Sequence, residues 1–188
     1  MNELEWARLV QRLVNTELAR SHPSLSMRLG YRLPYASEVL AYTGESPRQH
    51  RSISYQTDLL IVESLDTNSW TPRVVIETKI GTVTTHDAIT YSEKAFTHKR
   101  VHPYLRYGIL LGSRGHYPLP GRLFRHGLYF DLMVSWKGEK PTRIERKRLM
   151  SLLLDEVNAS RQLQDILYSS RLPTRKRYVV LHRPLRLG

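Results

Sequence analysis

A chain of 188 residues with 40% apolar content can bury the core of one ordinary domain, which argues against disorder. The absence of cysteine removes disulfides, thiolate zinc sites, iron–sulfur clusters and thiol nucleophiles, so any metal must be held by oxygen or imidazole. With 29 basic against 17 acidic side chains the net charge is +12, which favours a polyanionic partner, nucleic acid being the commonest.

Residues 2–20 read as a helix: Trp6, Val10, Leu13, Val14 and Glu17 recur at three- and four-residue spacings, and His22-Pro23 ends the pattern. MNELEWARLV carries acids where a secretory leader has a basic region and an apolar stretch, so a cytoplasmic location is expected. No apolar run reaches the ~18 residues of a membrane span. Residues 25–43 are ambiguous, with Gly30 and Pro34 interrupting short apolar pieces, and 43–47 reads as a turn. Residues 53–62 (ISYQTDLLIV) suit a strand, 64–72 (SLDTNSWTP) a turn, and 73–80 (RVVIETKI) a buried second strand closed by Gly81. Thr84 and Asp87 are spaced as a capping box for a helix reaching Arg100. Residues 107–111 and 128–136 read as further strands, separated by a looser stretch with Gly and Pro. Thr142 and Glu145 form a second capping box, opening a long helix over 143–168. The end, PTRKRYVVLHRPLRLG, is a basic patch followed by a short strand-like VVL. Residues 137–188 hold 13 basic and 5 acidic groups, and so supply +8 of the net charge. No composition shift marks a boundary, so 1–188 reads as a single α/β domain, a mixed β-sheet flanked by helices.

Side chains alternate across a strand, so Glu77 and Lys79 share one face while Thr78 points to the other. Asp58 lies in the preceding strand, and the turn between them can bring it beside Glu77. Two converging carboxylates repel unless a cation separates them. Magnesium, or manganese in its place, suits such a pair, keeping waters and a phosphate oxygen as its remaining ligands. It would acidify a bound water, and Lys79 could orient that water, help deprotonate it or stabilise the oxyanion. Asp58, Glu77 and Lys79 are thus a candidate phosphodiesterase core. The competing reading makes them ordinary charged residues at strand ends.

Asp58, eighteen residues, then Glu77-Thr78-Lys79 on an apolar strand resembles the PD-(D/E)XK nuclease superfamily, the restriction-endonuclease-like fold. The resemblance covers about half the chain, from the leading helix to the strand after the second helix. Thr57 stands where that pattern often has proline. The resemblance implies metal ligation by Asp58 and Glu77 and assistance to the nucleophilic water by Lys79. It also implies products with 5′-phosphate and 3′-hydroxyl ends. Many members add an acid from the first helix; Glu17 is the candidate here, an ordinary helix-end carboxylate being the alternative, and Glu5 is a weaker competitor.

Candidate DNA contacts are Tyr91, Lys94, Lys99 and Arg100 on the second helix and Arg175, Lys176 and Arg177 near the end, with a solvated basic face as the alternative. His98 and His102 are spaced for zinc, but no third ligand suggests itself. No phosphate-binding glycine loop or GxSxG elbow is present. The expectation is an endonuclease acting on double-stranded DNA, either a type II restriction enzyme or its catalytic subunit, as a homodimer or with a partner subunit. A junction resolvase, a repair or transposition nuclease, and a non-catalytic nucleic-acid-binding protein are the competitors.

Overall fold

Asn2 opens the first helix, α1 (Glu3–Ser21): its side chain accepts from the Glu5 amide at 2.8 Å, and the Glu5 carboxylate accepts from the Asn2 amide at 3.0 Å. This is seen in a computed structural model that describes every residue except 116, 117, 170, 175, 183 and 184, and position 49 by its backbone alone. Then follow β1 (Leu25–Leu29), β2 (Arg32–Thr43), β3 (Ser46–Gln56), β4 (Leu59–Ser64), β5 (Trp70–Ile80), α2 (Thr85–Val101), β6 (Arg106–Gly112), α3 (Gly121–His126), β7 (Leu132–Ser135) and α4 (Arg143–Ser169).

Five strands form a mixed sheet in the order β1-β4-β5-β6-β7. The β1–β4 and β4–β5 pairs are antiparallel, while the β5–β6 and β6–β7 pairs are parallel. Alternation sorts the central strands between two cores. Leu59, Ile61, Val74 and Ile76 pack with Trp6, Val10, Val14 and Leu18 of α1 and with Leu149, Leu153 and Val157 of α4. Leu60, Val62, Val75 and Tyr107 pack on the other side with Ala95 of α2 and Leu33 of β2. The protein is therefore α/β, a mixed sheet between helices on both faces. The edge strand β1 is tied down by α1, since Asn15 exchanges two hydrogen bonds with the Met27 backbone at 2.7 and 2.9 Å. No helix among the described residues is long and apolar enough to cross a membrane.

Several sequence expectations change. The strand expected over 53–62 breaks at Thr57-Asp58, because the Thr57 amide and hydroxyl both bond the Tyr31 carbonyl, at 2.9 and 3.0 Å. Residues 25–43, ambiguous in sequence, supply β1 and the first strand of a β2–β3 hairpin turned by Gly44 at φ +60. The strand expected over 128–136 is confined to β7, and α3 forms inside the stretch read as loose. Tyr178, Val179, Val180 and Leu181 are exposed and form no strand.

Candidate active site

Antiparallel register pairs Leu59 with Ile76, which brings the residue just before β4 level with the residue just after Ile76. Asp58 accordingly meets the end of β5: its Oδ2 accepts from the Thr78 amide at 2.7 Å and from the Thr78 hydroxyl at 3.0 Å. A side-chain oxygen thus takes the place of a ladder carbonyl. Both bonds use Oδ2, which leaves Oδ1 for another ligand.

Glu77 is entirely buried, on the α2 face as alternation requires. Its Oε1 accepts from the Tyr107 hydroxyl at 2.5 Å and lies 3.6 Å from the Lys94 ammonium, while its buried Oε2 has no partner. Burial pushes its pKa up to about 7, and the negative charge of Asp58 adds to the rise against the pull of Lys94 and Tyr107. Lys94→Met should therefore raise this value further, which a 13C carboxyl titration of Glu77 would register; an unmoved midpoint would show that Lys94 does not act on it.

Lys79, at the strand end, meets the first turns of two helices: Glu3 of α1 at 3.1 Å and Asp87 of α2 at 3.8 Å. Burial draws its pKa down, but the bond and charge of Glu3, with Asp87 and Asp58, outweigh this and raise it. Lys79 is an ammonium. Asp87 is itself fixed by Thr84 in the capping box anticipated from sequence.

Of these groups Glu3, Asp58 and Thr78 border a cleft of about 220 Å³, lined also by Ala7, Gly30, Gln56 and Tyr91. Burial, and then the charges of Asp58 and Glu77, keep the Tyr91 hydroxyl protonated far above its ordinary range. Lys94 lies 5.4 Å from the Tyr91 ring centroid; of the α2 residues considered as DNA contacts, these two stand beside the candidate core, Lys94 at Glu77 and Tyr91 in the cleft. Glu3, Asp58, Glu77 and Asp87 against Lys79 and Lys94 leave two negative charges in excess when all are ionised, an acidic spot in a basic protein.

The other candidates lie elsewhere. Glu17 pairs with Arg146 of α4. It stands fourteen residues from Glu3, roughly 20 Å along the helix, and the buried stripe runs through Leu18 instead. The first-helix acid beside the core is Glu3, which spacing alone did not reveal because it precedes the apolar stripe. Lys99 is held by Asp131 at 2.8 Å and by the Tyr129 carbonyl at 2.7 Å. It sits twelve residues beyond Asp87, roughly 18 Å along α2. Arg100 is exposed and lies over the Phe96 ring. Lys176 and Arg177 are exposed outside any regular element, and Arg175 lies outside the described residues. His98 is buried, its Nε2 at 3.2 Å from the Leu33 carbonyl, so packing accounts for it.

Asp58 and Glu77 fit a hard divalent cation: two carboxylates, one with a buried, unpartnered oxygen. No group of three or more His, Asp or Glu among the described residues is placed to ligate a metal. Water and a substrate oxygen would therefore complete the shell, as magnesium prefers.

Fold and site together define an α/β protein with two neighbouring carboxylates at a strand end, Asp58 lining a cleft and Glu77 buried, and with lysines beside them. No family model matches the chain, and no curated protein matches its sequence significantly.

Proposed function

We propose that the protein is a metal-dependent endodeoxyribonuclease of the PD-(D/E)XK type, hydrolysing phosphodiester bonds of double-stranded DNA with magnesium, or manganese in its place. The observation that carries this reading is Glu77, a fully buried carboxylate with one unpartnered oxygen next to Asp58. Such a group is costly to ionise in the interior unless a cation completes it.

Asp58 and Glu77 would hold the ion, which when bound supplies an acidified water and neutralises charge on the phosphate. Tyr107 fixes the orientation of Glu77, and Thr78 fixes that of Asp58. Lys79, as an ammonium, donates to the attacking water or to the developing oxyanion rather than removing a proton. Glu3, which lines the cleft, and Asp87 hold it by ion pairs. The protonated Tyr91 hydroxyl is a donor for a phosphate oxygen. The water oxygen bonds phosphorus as the 3′ oxygen leaves with a proton, giving 5′-phosphate and 3′-hydroxyl ends.

A type II restriction enzyme, or the catalytic subunit of one, is the specific role proposed, acting in the cytoplasm as a homodimer or beside a partner nuclease subunit. Incubation with supercoiled plasmid and magnesium or EDTA, beside Asp58→Ala and Lys79→Ala, tests the activity. Metal-dependent cutting lost in both variants is expected; undiminished DNA binding without cutting under any metal would leave only a binding protein. Defined fragments support restriction, and preference for four-way junctions supports a resolvase.

A further inference from the structure

Between β1 and β4 the chain leaves the sheet as a two-stranded arm, β2–β3, whose root is the cleft itself. Gly30 and Gln56, at the two ends of the arm, line the same cleft as Asp58. The Gly30 amide bonds the Asp58 carbonyl at 2.9 Å. Near this root the arm is anchored: Leu33 is buried, His98 meets its carbonyl, and Tyr35 and Tyr55 stack at 3.8 Å. Farther out, residues 37–40 and 42–48 are exposed, whereas α2 packs against β2.

A second concavity, of about 300 Å³, lies on the arm and is lined by Arg32, Arg51, Ser52, Ile53 and Ser54. Arg32 is paired in register with Gln56, so this concavity adjoins the cleft. Two guanidinium groups from opposite strands face it, and neither forms an ion pair with any described carboxylate. Glu38 stands across from Arg51 in register without bridging to it. Among the described residues four arginines form ion pairs, Arg73 and Arg161 with Glu63, Arg106 with Asp131 and Glu156, and Arg146 with Glu17; what sets the hollow apart is that two arginines without such a pair, one from each strand of the arm, line it together. Unmatched guanidinium groups beside serine hydroxyls, in a shallow open hollow, have the donor set of a phosphate site.

We propose that this hollow binds a backbone phosphate of the DNA leaving the cleft, and that the β2–β3 arm lies along the duplex as a clamp. The proposal rests on the nuclease reading for the identity of its polyanion. A two-stranded ribbon has the cross-section that the major groove admits. The arm thereby sets where the cleft falls on the substrate, through contacts separate from the cutting groups.

The test is the salt dependence of binding to a fluorescein-labelled duplex in EDTA, read by anisotropy. Each phosphate contact contributes about 0.9 to the slope of log K against log salt, so Arg32→Ala/Arg51→Ala, which removes the one phosphate contact of the hollow, should lower that slope by about 1. The Arg32→Lys/Arg51→Lys protein should keep it. Both arginines are exposed, and unchanged melting of the variants confirms folding. An unchanged slope overturns the clamp, and plasmid cutting by the unsubstituted protein would then leave the nuclease reading intact. A lowered slope supports the clamp even where no metal yields cutting, the outcome that removes the nuclease alone. An unchanged slope with a dimer that the alanine variant loses would assign the arm to chain–chain contact instead.

Discussion

Glu77→Gln is expected to reduce cleavage about a thousandfold or more while stabilising the metal-free protein near pH 8. The carboxyl titrates at about 7 in the folded chain against an ordinary 4.5. The folded state therefore holds the proton more tightly than the unfolded state, and stability falls as pH rises between about 4.5 and about 7. Above that window the full gap applies, roughly 3 kcal/mol. Glutamine removes the charge and keeps an acceptor for the Tyr107 hydroxyl. Its amide would stand where Oε2 has no partner, which trims the gain to about 2 kcal/mol. In a chain of this size that is a rise of about 4–8 °C in Tm. Thermal unfolding in EDTA should show the rise near pH 8 and lose it near pH 5, where the native carboxyl is protonated. Magnesium should then stabilise the unsubstituted protein and not the variant, closing the gap. A gain of equal size at both pH values would sink the argument, because the strain would not come from ionisation.

Much of this site is legible in the chain because its chemistry interrupts strong local patterns. Glu77 and Lys79 stand out as charges on an apolar run, and period-two alternation assigns Glu77 to the face where Lys94 and Tyr107 meet it. The capping pairs Thr84/Asp87 and Thr142/Glu145 are spaced so that each side chain reaches the other's amide, and both bonds form. Groups fixed by distant partners are not legible. Nothing local shows that Thr57 will bond Tyr31 and that the strand will end at Gln56, two residues before Asp58. The β2–β3 arm is exposed on both faces along most of its length, so it lacks the alternation that marks a half-buried strand. Glu17 looked inward by its spacing with Val10 and Val14, yet Leu18 takes the buried position and leaves Glu17 to Arg146. Lys79 illustrates the same limit, since its ties to Glu3 and Asp87 depend on two helix starts that sequence separates widely.

Gly112→Ala is expected to lower stability by about 3 kcal/mol, a fall of about 6–12 °C in Tm, and to impair the cleft beyond the loss of folded protein. A Cβ at Gly112 would lie under 3.0 Å from three atoms of the Trp6 ring. That ring has no easy retreat: it is fully buried, packs edge-on to Trp136 with centroids 5.7 Å apart, and donates its Nε1 hydrogen to the Glu139 carbonyl at 2.7 Å. Relief must come from moving the start of α1 or the end of β6. Either shift reaches the cleft. Glu3 sits one helical turn before Trp6 and holds Lys79, and the Gly112 carbonyl accepts from the Gly81 amide just beyond that lysine at 2.8 Å. Gly121→Ala supplies the comparison, since a Cβ there meets nothing within 4 Å at the first turn of α3 and should leave Tm unchanged or slightly raised. Melting curves and plasmid cleavage on the two variants separate these expectations. A Gly112→Ala protein that melts with the parent would mean that Trp6 does not press on β6. The route by which the first helix positions Lys79 would then have to run through Glu3 alone.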